Sequence, residues 1–236
     1  MPSTSTKPRK RPPQTPLSRE RVLRAAVALA DARGLEELTM RKLAKELGVE
    51  AMSLYNHVSG KGDLLDGMID IVFGEIDPPA PDGDWKAELR KRAISTRAAL
   101  LRHRWAVGEM EGRTDFGPSN MRVHDAVLGC LRAAGFSVEM TVSTMSVQDA
   151  YIYGFALQQT DMSSETPEDF AAEAQRQMAE YEALLADYPH IREVVGGHVA
   201  TSGYDYDKEF LFGLDVILDG LERLLEPAER ALSESG

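Results

Sequence analysis

The chain has 236 residues, 43 % hydrophobic and 28 % charged, with 27 Lys+Arg against 38 Asp+Glu and a formal net charge of −11. This excludes a disordered or fibrous chain and allows a buried core, either in one large domain or in a small domain joined to a larger one. Without a run near the roughly 18 apolar residues of a membrane span, without the apolar stretch of a secretory signal, and with Cys130 as the sole cysteine, the chain reads as cytoplasmic and membrane-free.

Charge is unevenly placed. Residues 1–62 hold 12 Lys+Arg against 6 Asp+Glu, and residues 63–236 hold 15 against 32. A basic head on an acidic body suits a polyanion met by the head alone, although an unevenly charged solvated surface has the same composition. Residues 1–16 contain five prolines and the cluster Lys7, Arg9, Lys10 and Arg11, and read as a disordered basic arm. Ser18 then caps a helix whose Val22, Leu23, Ala26, Leu29 and Ala30 share one face, and Gly34 stops it. Thr39 caps a short helix over Met40–Leu47, Gly48 ends it, and a third helix follows over roughly 50–57. A fourth runs from about Lys61 to Ile76, completing a domain over 17–76.

The Pro-rich stretch 77–84 reads as a hinge, and residues 85–226 as a second helical domain. Its predicted helices cover 85–103, 104–112, 119–134, 138–159, 167–187 and 207–225, with 188–205 irregular and 227–236 a tail. Strand-period alternation is absent, so the fold class is all-α.

Two short helices joined by a Gly-containing turn form a helix-turn-helix. Ala44 is small where the two would cross, Gly48 can take a positive φ, and Val49 and Leu54 point back to lock the second helix. The exposed face then carries Ala51, Met52, Ser53, Tyr55, Asn56 and His57. These short or neutral groups can approach bases and phosphates, which would repel carboxylates. A plain helical corner, with Tyr55 packed inward and His57 an ordinary surface histidine, fits the same pattern.

Over Leu17–Leu65 the words ALADARGLEELT and LTMRKLAKELGVEAMSLYNHVSGKGDLL resemble the TetR family of bacterial transcriptional repressors. The match is carried in register by Gly34, Thr39, Arg41, Leu43, Ala44, Gly48, Val49, Ser53, Leu54, Tyr55, His57, Val58, Lys61, Leu64 and Leu65. AMSLYNHV and the terminal FLFGLDVILDGLERLL look most like the tetracycline-repressor branch. The resemblance implies that Thr39, Lys61, Tyr55 and His57 hold phosphates of double-stranded operator DNA. It also implies that Arg41 reaches a base edge, with Ala51, Met52, Ser53 and Asn56 facing the groove. Ala51 stands where that branch often has a longer polar residue, so the operator sequence does not transfer.

Such a head usually works as a two-fold pair. The candidate homodimer face is Phe210, Gly213, Leu214, Ile217, Gly220, Leu221 and Leu224 on the last helix, with Gly154 on the long helix before it; intramolecular packing explains the same stripe. A largely hydrophobic small-molecule effector is expected among His103, Trp105, Met110, Phe116, Met121, His124, Met145, Gln148, Tyr151 and Phe155, with Arg113 as a further polar handle, although many of these suit plain core. The implied function is a repressor released from its operator by that effector. The alternative is an all-α dimeric interaction or carrier protein that no longer binds DNA. No cofactor is called for. Phosphate-loop, dinucleotide, nucleophile-elbow and zinc-protease motifs are absent, and only His198 with Asp205 and Asp207 hints at a metal. The chain is therefore not expected to be an enzyme. Cys130 falls on an apolar face with Val123, Val127 and Leu131 and reads as core.

Overall fold

A computed structural model describes residues 16–110, 117–160 and 166–233, and among these every regular element is helical. The basic arm, Arg113 and Phe116 lie outside the described residues, as does most of the loop before Pro167. Residues up to Met68 form one compact unit and those from Ile69 onward a second.

The first unit is built by well-capped local pieces. α1 (Arg19–Arg33) starts where the Ser18 hydroxyl accepts the Arg21 N–H at 3.2 Å, and ends at Gly34. α2 (Met40–Leu47) starts at Thr39, whose hydroxyl accepts the Lys42 N–H at 3.2 Å. Gly48, at φ 70° and ψ 32°, turns the chain left-handed, and the Val49 N–H reaches back to the Ala44 carbonyl at 3.0 Å. α3 (Ala51–Leu54) follows and is shorter than the expected 50–57. Beyond it the Tyr55 and His57 N–H groups bond three residues back, to Met52 and Leu54, so the segment tightens into turns. α4 (Lys61–Gly74) crosses from the first unit into the second. Val22, Ala26, Leu43, Leu54, Val58 and Leu64 are fully or almost fully buried. They hold α1, α2 and α3 together through apolar contact.

In the second unit α5 (Trp85–Arg102) is capped by the Asp84 carboxylate, which accepts the Lys86 and Ala87 N–H groups. The stretch before it is tied to α5: the Asp77 N–H bonds Ser95 Oγ at 2.9 Å and the Ala80 N–H bonds Glu88 Oε2 at 2.8 Å. α6 (Ala106–Met110), α7 (Pro118–Ala133) and α8 (Val138–Thr160) come next. α9 (Pro167–Glu180) opens with a reciprocal Thr166–Asp169 capping box and stops at Glu180, not near 187, where Tyr181 breaks the run before α10 (Glu182–Leu185).

The stretch 188–205, expected to be irregular, is largely helical: α11 (Pro189–Val194), a π turn over Val195–Val199 and α12 (Ala200–Ser202). Pro189 sits at a first-turn position that needs no N–H, and the segment docks on α9 through buried Ala200 and the Gln175 Nε2–Ala200 carbonyl bond of 2.6 Å. Tertiary packing thus outweighs the poor helix propensity of its glycines. Gly203 ends the run at φ 72°, beneath the Pro167 carbonyl, where a Cβ would collide with backbone. α13 (Tyr206–Ser233) starts one residue earlier than expected and continues past Pro227 instead of stopping there. A proline removes one helical bond, and here the helix carries on beyond it. α5, α8 and α13 pack on one another, with α7 against α5 and α8.

Candidate nucleic-acid interface

α3 and the turns that follow it, residues 51–58, divide sharply between core and solvent. Leu54 is 0 % exposed and Val58, just beyond, 2 %, whereas Met52 is 75 % and Tyr55 47 % exposed. Asn56 is exposed as well, and Ala51, Ser53 and His57 are half-buried. Thr39 and Arg41 are exposed at the start of α2, and Lys61 at the start of α4. Thr39 already caps α2 with its oxygen lone pair, which leaves its hydroxyl proton for an acceptor such as a phosphate. The alternative of Tyr55 buried against α1 does not describe a side chain that is nearly half exposed.

The backbone beneath this face is held by a long-range network. Arg19 Nη1 donates to the His57 carbonyl at 2.9 Å and to Asp63 Oδ2 at 3.1 Å, while Nη2 donates to Asp63 Oδ1 at 2.5 Å. Asp63 Oδ2 also accepts the Ser59 N–H at 2.7 Å. The Arg19 hydrogen bond, followed by that from Ser59, holds the Asp63 carboxyl down at about 2.

The proposed ligand residues are scattered among several packing roles. Met121 is 57 % exposed on α7. His124 bonds the Asn120 carbonyl through Nδ1 and leans on Phe73. His103 is buried, with Nε2 3.2 Å from Glu75 Oε1 and its ring against Trp105. Burial pushes the Glu75 carboxyl up, but its hydrogen bonds to Arg102 and His103 outweigh this and leave it lowered. Met110 and Met145 pack on the main core. Tyr151 and Phe155 stack around Phe210 with Arg97 over the Phe210 ring at 4.8 Å, and the Tyr151 hydroxyl donates to the Phe210 carbonyl at 2.9 Å.

Gln148 leads to a residue that the sequence reading passed over. The Arg92 side chain is fully buried between α5 and α8, where Nη1 meets Gln148 Oε1 at 2.8 Å and Nη2 meets Asp149 Oδ1 at 2.7 Å. Arg92 Nε, Thr144 Oγ1 and Asn120 Oδ1 are buried without a hydrogen-bond partner. An arginine seldom enters a core, so its type gave no warning, although its place on α5 in register with Leu89 and Thr96 could have. A groove of about 620 Å³ along α5 (Glu75, Arg90, Ile94, Arg102) and an apolar cleft of about 230 Å³ over α9–α11 (Met178, Tyr181, Leu184, Ile191) are lined by none of the proposed ligand residues.

The proposed pairing face also sorts by depth. Phe210 and Leu214 are 0 % exposed and belong to the chain's own core, so they cannot meet a second copy directly. Gly213 gives room to Tyr151, whose hydroxyl crowds the place where a Cβ would stand. Ile217 and Leu221 are half-buried, Gly154 is exposed, and Gly220 has open space beside it. The outward ridge is Phe212, Val216, Gly220 and Leu224, with exposures of 70 %, 56 % and 64 % for its three side chains; on α8 it is Val147, Gly154 and Leu157. The four-residue repeat from Phe212 is visible in the sequence, but the wide apolar stripe hides which side turns out.

Among the described residues, no helix is long and apolar enough to cross a membrane, and no group of three His, Cys, Asp or Glu is placed to hold a metal, His198, Asp205 and Asp207 included. Cys130 is buried among apolar neighbours, and burial raises its thiol pKa.

A small helical unit that presents the exposed side chains of its short third helix, followed by a larger helical unit, defines a helix-turn-helix DNA-binding regulator. Residues 22–68 match the family described as bacterial regulatory proteins, tetR family, and residues 77–225 match the tetracyclin repressor-like C-terminal domain. The chain belongs to the TetR family and is a DNA-binding transcriptional repressor. It is 40 % identical over 222 residues to the HTH-type transcriptional repressor DrrR1 of Streptomyces coeruleorubidus, covering 91 % of this chain and 81 % of that one. It is 34 % identical over 213 residues to the class D tetracycline repressor protein of Escherichia coli, covering 87 % and 89 %. Streptomyces coelicolor ActR, solved in complex with actinorhodin, superposes with a TM-score of 0.74 at 28 % identity over 89 % of this chain and 98 % of that one.

Proposed function

We propose that two copies of this chain grip operator DNA through Thr39, Arg41, Ala51, Met52, Ser53, Tyr55, Asn56, His57 and Lys61, and release it when a small molecule binds in the helical body. The observation that carries this reading is the division at α3: Leu54 is completely buried, whereas Met52 and, one residue past the helix, Tyr55 are left to solvent. Tyr55, His57, Thr39 and Lys61 take phosphates and fix register, whereas Arg41 and the groove-facing residues carry base preference. The two copies pair through the outward ridges of α8 and α13, because one recognition helix reads too few base pairs alone.

The effector enters the helical body; what supports a small-molecule ligand is that the similar ActR was solved in complex with actinorhodin. Its polar anchor is read at Arg92 and Thr144, whose buried unpartnered atoms suit a hydrogen-bond acceptor on a mostly apolar molecule. Release requires that the molecule prefer the body state in which the heads no longer match the operator. Enrichment of genomic DNA by the purified protein, followed by a screen of small molecules for release of the enriched duplex, tests the reading. A single sharply enriched sequence freed by a compound that fails to free an Arg92→Met variant is the expected outcome. Recovery of no sequence above background contradicts it.

A further inference from the structure

In the head, the Arg19–Asp63 network does something that the exposed side chains cannot. It joins the first residue of α1 to a backbone carbonyl 38 residues away and a carboxylate 44 residues away. Its two backbone ends, the His57 carbonyl and the Ser59 N–H, flank Val58, which is 2 % exposed and anchored in the core. Val58 therefore fixes the depth of this connection, and Arg19 and Asp63 fix the rotation of the peptides on either side of it. His57 lies at one end of the connection, and Lys61 opens α4 at the other. Exposed ion pairs usually contribute little, but this one is two-pronged and also holds backbone.

We propose that Arg19 and Asp63 are positioning residues for DNA binding: they set His57 and Lys61 against the phosphates, and Arg19 screens a carboxylate that would otherwise face a polyanion. This rests on the DNA-binding reading above. Neither side chain needs to touch a base.

The test uses the full chain and the duplex it enriches from genomic DNA, followed by fluorescence anisotropy. Simple charge counting says that Asp63→Asn, which removes a negative charge from the DNA-binding head, should tighten binding. Positioning says the reverse, a loss of about tenfold, with Arg19→Lys losing about threefold because an ammonium keeps the charge but not the fork. In a background carrying both His57→Ala and Lys61→Gln the Asp63→Asn loss should nearly vanish, whereas in an Arg41→Ala background about tenfold should remain. If Asp63→Asn fails to fold, judged by thermal unfolding, Arg19→Lys carries the same cycle. Unchanged or tighter binding by the variant, or equal losses in both backgrounds, overturns the proposal while the DNA-binding reading stands. A parent chain that retains no duplex overturns that reading itself.

Discussion

Lys61 is the simplest place to weigh the phosphate contacts. It is exposed at the start of α4, so its removal should leave the fold within about 0.5 kcal/mol of the parent. Each phosphate neutralised on duplex DNA contributes about −0.9 to the slope of log K against log salt. Two copies of Lys61 therefore account for about −1.8 of the slope. Between about 0.05 and about 0.2 M salt, the parent should lose about twelvefold more affinity than a Lys61→Gln variant. Anisotropy titrations of both proteins on the enriched duplex across that range measure the two slopes directly. Base preference should be the same for both, because a phosphate contact carries no sequence information. Parallel slopes would refute the reasoning, since Lys61 would then neutralise no phosphate.

Other perturbations separate core from surface. Phe212→Glu should yield a folded single-chain species by sedimentation, because Phe212 is 70 % exposed on the pairing ridge, whereas Phe210→Ala should lower stability by about 3–5 kcal/mol in urea unfolding. The Asp63 carboxyl sits at about 2, below its ordinary 3.8, so the stabilisation it gives is present above about pH 4 and is lost as pH falls toward 2; acid titration of Asp63→Asn should show a shallower loss over that window. Cys130 should react with a thiol reagent only at the rate of unfolding, since it is 1 % exposed and burial raises its thiol pKa; fast modification of the native protein would place it elsewhere.

What could be read from the sequence was what local chemistry decides. Ser18 and Thr39 cap the helices they precede because each places an oxygen within reach of the N–H three residues on, and Gly48 turns where a positive φ is needed. Met52 and Leu54 sort to opposite sides of α3 for the same local reason, helical geometry. What could not be read depends on distant partners. Nothing near Arg19 announces Asp63 or the His57 carbonyl, and although the register of Arg92 with Leu89 and Thr96 hints at burial, nothing near it announces Gln148 and Asp149 as its partners. Phe210 and Phe212 are nearly alike in chemistry, and only the ring stack with Tyr151 and Phe155 decides which one turns inward. The helices over 189–202 were hidden by glycines whose cost is offset by docking on α9.

Hydroxyl-radical footprinting of the enriched duplex bound to the intact chain tests the paired-head account most directly. The account predicts two protected patches on one face of the duplex, centred about one helical turn or a whole multiple of it apart, with both weakened together by Tyr55→Ala. A single patch, or protection that leaves Tyr55→Ala indistinguishable from the parent, would contradict it.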